Sequence, residues 1–145
     1  MLGSVPAPAQ QPIGLRLART ARAASTAFER AMAEAGGSAA TWQVLLLVRT
    51  QNWDTQSAMA RSLGITAATL THHLNALERQ GLVRRWREPG DRRSQRVELT
   101  EQGSELFDRL RRVAMAHDAR LRSKLSDAET EQLASLLDRL AAGLE

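Results

Sequence analysis

Residues 56–103 read QSAMARSLGITAATLTHHLNALERQGLVRRWREPGDRRSQRVELTEQG. Thr55 is placed to cap a short helix over Gln56–Leu63 that turns Met59, Ala60 and Leu63 inward, and Gly64 supplies a tight turn. Thr66 then caps a second helix extending to Gln80, held to a core by Ile65, Leu70, Leu74 and Leu77, and Gly81 ends it. Leu82–Arg87 reads as a strand and Gln95–Leu99 alternates as its partner, with Pro89-Gly90-Asp91 marking the turn between them. Helix, glycine turn, helix and hairpin in that order predict a winged helix-turn-helix.

Outward from this centre the pattern stays helical. Ile13, Leu17, Ala21, Ala24, Phe28 and Ala31 recur at helical spacing, so a first helix is expected from Pro12 to Gly36-Gly37. Thr41 is the expected N-cap of a helix over Trp42–Arg49 built on Val44, Leu45 and Val48, and Asn52-Trp53-Asp54 reads as a connecting loop. On the far side, Thr100 caps a long helix with Leu106, Leu110, Val113, Ala114 and Leu121 along one side. Ser126 to Glu129 forms a capping box for a last helix carrying Leu133, Leu136, Leu137, Leu140 and Leu144. The fold class is mainly α with a small β-hairpin wing. The division is a flexible arm over 1–11, an N-terminal dimerisation helix over 12–36, a winged helix-turn-helix lobe over 41–100 and C-terminal dimerisation helices over 101–145.

Composition narrows the function. The chain has 145 residues, 43% of them hydrophobic but only 3% aromatic, so the interior is built mostly of Leu, Ala and Val. It has no cysteine, which removes disulfides, thiol redox sensing and thiolate metal sites. Lys124 is the only lysine, and arginine favours planar, bidentate contacts to phosphate and guanine. Between Arg79 and Arg96, seven arginines face only Glu88 and Asp91, a net charge of +5 in a chain whose total is +4. The positive field is therefore concentrated on the hairpin, where a phosphate contact needs it. The uncharged, Pro- and Ala-rich start lacks the basic region and apolar core of a secretory signal, and no apolar run approaches the ~20 residues that span a bilayer. A cytoplasmic location, with no membrane partner, is the expectation.

The segments LGITAATLTHHLNALERQGLVRR and DRRSQRVELTEQG resemble the MarR family of bacterial transcriptional regulators. The hairpin pattern D-x-R-x-x-x-V-x-L-T-x-x-G is matched by Asp91, Arg93, Val97, Leu99, Thr100 and Gly103. The resemblance implies a homodimer in which first and last helices of two chains interlock. It implies double-stranded DNA as partner and a pseudo-palindromic operator, with repression the expected mode. The recognition helix, 66–80, would enter the major groove and the wing, 84–97, the minor groove. The resemblance also implies a small aromatic or anionic effector between the DNA-reading lobe and the dimer helices; Arg16, Met32 and Trp42 lie on helices bordering such a cleft.

With Leu70, Leu74 and Leu77 inward, the groove-facing positions of the recognition helix are Thr66, Ala67, Ala68, Thr69, Thr71, His72 and Asn75. Ala67 and Ala68 suit thymine methyls, Thr69 and Thr71 suit phosphate or bases, and Asn75 suits a bidentate adenine pair or is a plain surface amide. His72 stands where the family often carries arginine, a departure that lowers phosphate attraction. On the wing the leading DNA candidate is Arg93, which the resemblance places at the tip, in the minor groove; Arg92, Arg87 and Arg85 are weaker ones, because strand alternation aims some of them away from the duplex. Asp91 is expected to support the wing's shape, and Arg84 and Arg96 to be ion-pair partners. His72 and His73 point about 100° apart on a helix, so no metal is assigned. His73 reads as a packed histidine, whereas His117 faces either a ligand pocket or the dimer interface. No nucleophile motif or phosphate loop suggests an enzyme, and no cofactor is expected. The competing reading is a winged-helix protein-interaction module without specific DNA binding.

Overall fold

The computed structural model describes residues 3, 11–50, 55–87, 89–90 and 95–145. Among these the order is α1 (Ile13–Glu34), α2 (Ala39–Thr50), α3 (Gln56–Leu63), α4 (Ala67–Arg79), β1 (Val83–Arg87), β2 (Gln95–Leu99), α5 (Glu101–Arg122) and α6 (Asp127–Ala142). The mainly helical architecture with one hairpin wing is the expected one. Most of the predicted arm and the Asn52-Trp53-Asp54 loop lie outside the described residues.

Side-chain caps set the helix starts. Thr55, Thr66 and Thr100 each accept a hydrogen bond from the backbone N–H three residues on, and Ser126 with Glu129 completes the capping box. Gly64 (φ +70°) and Gly81 (φ +74°) adopt the left-handed conformation that ends α3 and α4. One expected cap is corrected. Thr41 lies inside α2, and it is the Ser38 hydroxyl that accepts from the Thr41 N–H, at 3.0 Å. The helix thus begins at Ala39, ahead of the apolar pattern, because Ala39 and Ala40 are good helix formers.

The core joins α1, α2, α4 and α5: Met32, Leu45, Leu70, Leu74 and Leu110 are wholly buried, with Phe107 beside them. The hairpin is antiparallel, in register from Val83 opposite Leu99 to Arg87 opposite Gln95. Thr100 fastens it to α5. Its hydroxyl donates to the Gly81 carbonyl (2.6 Å) and accepts from the Gly103 N–H (3.0 Å), while its own N–H donates to the Leu82 carbonyl (3.1 Å). This explains the L-T-x-x-G pattern. The threonine ties the sheet to the helix, and the buried Gly103 lets the first turn of α5 pass directly over the Leu82 carbonyl.

The terminal helices depart from a self-contained packing. No residue of α6 is buried, and Leu133, Leu136, Leu137 and Leu140 are each more than two-fifths exposed. Ile13, Leu15 and Leu17 of α1 and Leu121 of α5, the latter expected on the packed side, are likewise exposed. The α6 stripe has helical periodicity, and none of these side chains is covered among the described residues.

Candidate nucleic-acid interface

The first half of α4 is presented to solvent. Leu70, Leu74 and Leu77 anchor its inner face, leaving Thr66, Ala67, Ala68, Thr69 and His72 exposed on the other. Thr66 fixes the start, its hydroxyl accepting from the Thr69 N–H (3.1 Å) and donating to the Thr69 hydroxyl (2.8 Å). The surface is small, flat and rich in hydroxyls, which is what close approach to base edges requires. Thr71 is half-buried and turned toward α3, where its hydroxyl accepts from Gln56 Nε2 at 3.1 Å. It braces the two helices against each other, and that bond orients its side chain.

Asn75 is engaged within the protein. Its Oδ1 accepts from Arg85 Nη2, and Arg85 Nε also donates to Glu78 Oε2 at 3.2 Å. A bidentate adenine pair needs both Oδ1 and Nδ2, so in this arrangement Asn75 does not present that pair. It serves instead in a clamp between α4 and β1. The Arg85 side chain is only 11% exposed, and its guanidinium holds the Glu78 carboxyl below the usual carboxylate range, chiefly by direct hydrogen bonding. Sequence reasoning missed this clamp, though a signal existed. Alternation from the buried Val83 puts Arg85 on the sheet's inner side, where a guanidinium needs a carboxylate or amide partner.

The same alternation gives Arg87 the side of Arg85, toward α4, and leaves it exposed. Arg84 and Trp86 occupy the opposite face. Arg84 pairs with Glu98 across the hairpin, as expected, and its guanidinium carbon lies 5.6 Å from the Trp86 ring centre. Asp91, Arg92 and Arg93 lie outside the described residues. The His72 and His73 rings are 6.1 Å apart, and His73 is half-buried. Among the described residues no group of three or more metal-ligating side chains converges. His117 packs against Phe28, ring centres 5.0 Å apart, between α5 and α1.

A second feature lies on the α2 and α5 side of the protomer. A cleft of about 950 Å³ between α2 and α5 is lined by Trp42, Leu46, Arg49, Phe107, Arg111 and Met115, among others. Trp42 stacks on Phe107 (5.4 Å between centres, 22° between planes), and the Arg49 guanidinium carbon sits 5.5 Å from the Phe107 ring centre. Arg122 is paired with Asp118 at the rim (2.7 Å). Of the three residues expected near such a cleft, Trp42 lines it. Met32 is buried in the core, and Arg16, on α1, is not part of the lining. No helix among the described residues is long and apolar enough to cross a membrane.

Comparison with known proteins agrees with this geometry. The family model described as MarR matches residues 38–95. A candidate transcriptional regulatory protein for the hcr operon of Thauera aromatica is 30% identical over 129 residues, 88% of this chain and 78% of that protein. Among solved structures, the transcriptional repressor CouR bound to a 23-mer DNA duplex is 31% identical with a TM-score of 0.79, over 90% of this chain and 92% of that one. CouR from Rhodococcus jostii RHA1 bound to p-coumaroyl-CoA is 26% identical with a TM-score of 0.76, over the same shares of the two chains.

Proposed function

From the premise that this chain belongs to the MarR family of DNA-binding transcriptional regulators, we propose that it is a homodimeric repressor of a pseudo-palindromic operator, released by a small aromatic acid or its thioester. The observation that carries the DNA reading is the exposed, hydroxyl-rich first half of α4, on a helix whose second half Arg85 clamps to a hairpin whose arginines concentrate the chain's positive charge. In this reading Thr66, Ala67, Ala68, Thr69 and His72 contact bases or phosphates in the major groove, and Arg87 and Arg92 contact the backbone beside it. Thr71 and Asn75 hold the helix in place. Two such lobes in a dimer address half-sites about one helical turn apart. Methylation interference on a selected operator tests this: guanine N7 methylation should block binding in two major-groove patches on one face of the duplex. A single patch, or none, would contradict the paired-helix arrangement.

Arg93 is proposed to enter the minor groove, where A·T-rich DNA concentrates negative potential, with Asp91 supporting the wing. Arg93→Ala is expected to weaken operator binding by about tenfold or more, a loss of roughly 1–3 kcal/mol for a well-placed arginine contact. Circular dichroism and sedimentation should be unchanged. A properly folded variant with parental affinity would remove Arg93 from the interface. His72→Ala is expected to act differently. Total affinity should shift by no more than a few fold while the ranking of operator variants changes. An identical ranking for variant and parent would show that His72 reads no base.

The α2–α5 cleft is proposed as the effector site. Stacked rings of Trp42 and Phe107 suit a flat aromatic group, and Arg49 and Arg111 suit an anion beside it. The likeness to a CouR structure holding p-coumaroyl-CoA supports an aromatic acyl group as the ligand class. Such a ligand releases DNA only by favouring the arrangement of lobes that cannot bind it, so DNA must weaken the ligand by the same factor. Titrating p-coumarate and p-coumaroyl-CoA with and without operator tests both statements. Equal ligand affinity in the two states would exclude an inducer role for these compounds.

A further inference from the structure

The cleft between α2 and α5 is partly filled by its own side chains. Phe107 has two neighbours at its ring, the Trp42 ring with centres 5.4 Å apart and the Arg49 guanidinium carbon 5.5 Å from the ring centre. Arg49 Nη1 also donates to the Ser104 hydroxyl at 3.4 Å, near the start of α5. The guanidinium is therefore held to α5 twice, over the ring that a flat ligand would use.

A ligand ring that stacks on Phe107 competes with these neighbours for its faces, and the two differ in how readily they leave. Trp42 is half-buried and packed against the core. Arg49 is exposed in the last turn of α2, and its bond to Ser104 is long. Displacing it with no new partner forfeits both of its contacts. A carboxylate on the ligand reverses that balance, because it offers the guanidinium a bidentate ion pair in place of a single hydroxyl and a ring face. The other cations of the lining stand differently. Arg122 is already paired with Asp118 at 2.7 Å. Among the described residues, Arg111 has neither an ion pair nor a contact over a ring.

We infer that Arg49 is the specificity gate of this cleft: in the empty site its guanidinium covers Phe107, and a ligand must join an anion to its flat ring to draw that guanidinium away. This rests on the effector reading above and adds a selection rule to it. A neutral aromatic of the same shape has to displace Arg49 with nothing to offer in exchange, so the gate acts against neutral rings as well as in favour of anionic ones. Arg111 attracts an anion without obstructing the ring, and it selects by attraction alone.

The test is calorimetric titration of p-coumarate and of its uncharged amide, p-coumaramide, into the full chain and into Arg49→Ala and Arg111→Ala at neutral pH. Both positions are exposed, and circular dichroism melting monitors the fold of each variant. The parent is expected to prefer the carboxylate by at least about tenfold. Arg49→Ala is expected to weaken the carboxylate by about tenfold and to tighten the amide by about two- to fivefold, the change that matches removal of an exposed cation–ring contact. Arg111→Ala is expected to weaken the carboxylate and leave the amide unchanged. Movement of the two ligands in opposite directions separates a gate from a plain anion contact, which would lose the carboxylate and not affect the amide. Amide affinity that is unchanged or lower in Arg49→Ala, or that rises equally in Arg111→Ala, overturns the inference and leaves the effector reading in place if the parent binds the carboxylate. A parent that takes p-coumaroyl-CoA but neither small probe also overturns the inference alone. A parent that binds none of the three overturns the effector reading and the inference together.

Discussion

Placing glutamate at both Leu136 and Leu140 of α6 is expected to convert the protein to a monomer and to cost at least about a hundredfold in operator affinity. Both leucines are exposed in the protomer, 44% and 42%, within a stripe that also carries Leu133 and Leu137. Because α6 has no buried residue, the change costs the isolated protomer little. In a dimer the same positions enter an apolar seam, where an unpaired carboxylate costs several kcal/mol. Operator binding falls because the second lobe's contact with its half-site is effectively intramolecular, a linkage that contributes on the order of 10²–10⁴ in affinity. Sedimentation and DNA titration of the same preparation separate the two effects. A variant that remains dimeric, or a monomer with parental operator affinity, would remove α6 from the account of function.

Gly103→Ala is expected to destabilise the fold by at least about 3 kcal/mol, the upper end usual for overpacking. Alanine inside a helix ordinarily gains roughly 0.5–1 kcal/mol over glycine. Here the new Cβ would stand 1.9 Å from the Leu82 carbonyl oxygen and 2.9 Å from its carbon, both backbone atoms that cannot swing aside. The clash outweighs the propensity gain. Relief requires α5 to lift from the β1 approach, which pulls on the Thr100 bonds to Gly81 and Leu82. Gly14→Ala in α1 is the matched control. Nothing lies within 4 Å of its added Cβ, so it should be neutral or slightly stabilising. Urea denaturation of both variants at one protein concentration checks the difference, the fixed concentration being necessary for an associating protein. Equal midpoints would mean that α5 does not pass the Leu82 carbonyl this closely.

What was legible in the sequence was local. Thr55, Thr66, Thr100 and Ser126 announced their helices because a cap needs only a hydroxyl and a following helix former, and the structure uses each one. Gly64 and Gly81 announced their turns because a left-handed helix end favours the residue without a Cβ. The apolar pattern starts at Trp42 and so points to Thr41, while the helix starts where propensity first allows it, just after Ser38. Asn75 shows the limit more sharply. Its position on α4 follows from the sequence, but its bond to Arg85 depends on how the sheet packs against that helix, ten residues along the chain. The exposed leucines of α6 were legible as a stripe, and none of them is buried in the protomer. The wing-tip roles of Asp91, Arg92 and Arg93 rest on the motif alone, since they lie outside the described residues.

The most direct test of sequence-specific DNA binding is a fluorescence-anisotropy titration of the purified protein against the DNA upstream of its own gene, beside a scrambled duplex of equal length, across a salt series. Tight binding to the upstream duplex, well above the scrambled control and falling steeply with salt, is the predicted result, reflecting base readout supported by arginine–phosphate contacts. No binding to either duplex even at low salt would contradict DNA recognition and return the winged helix to a protein-interaction role.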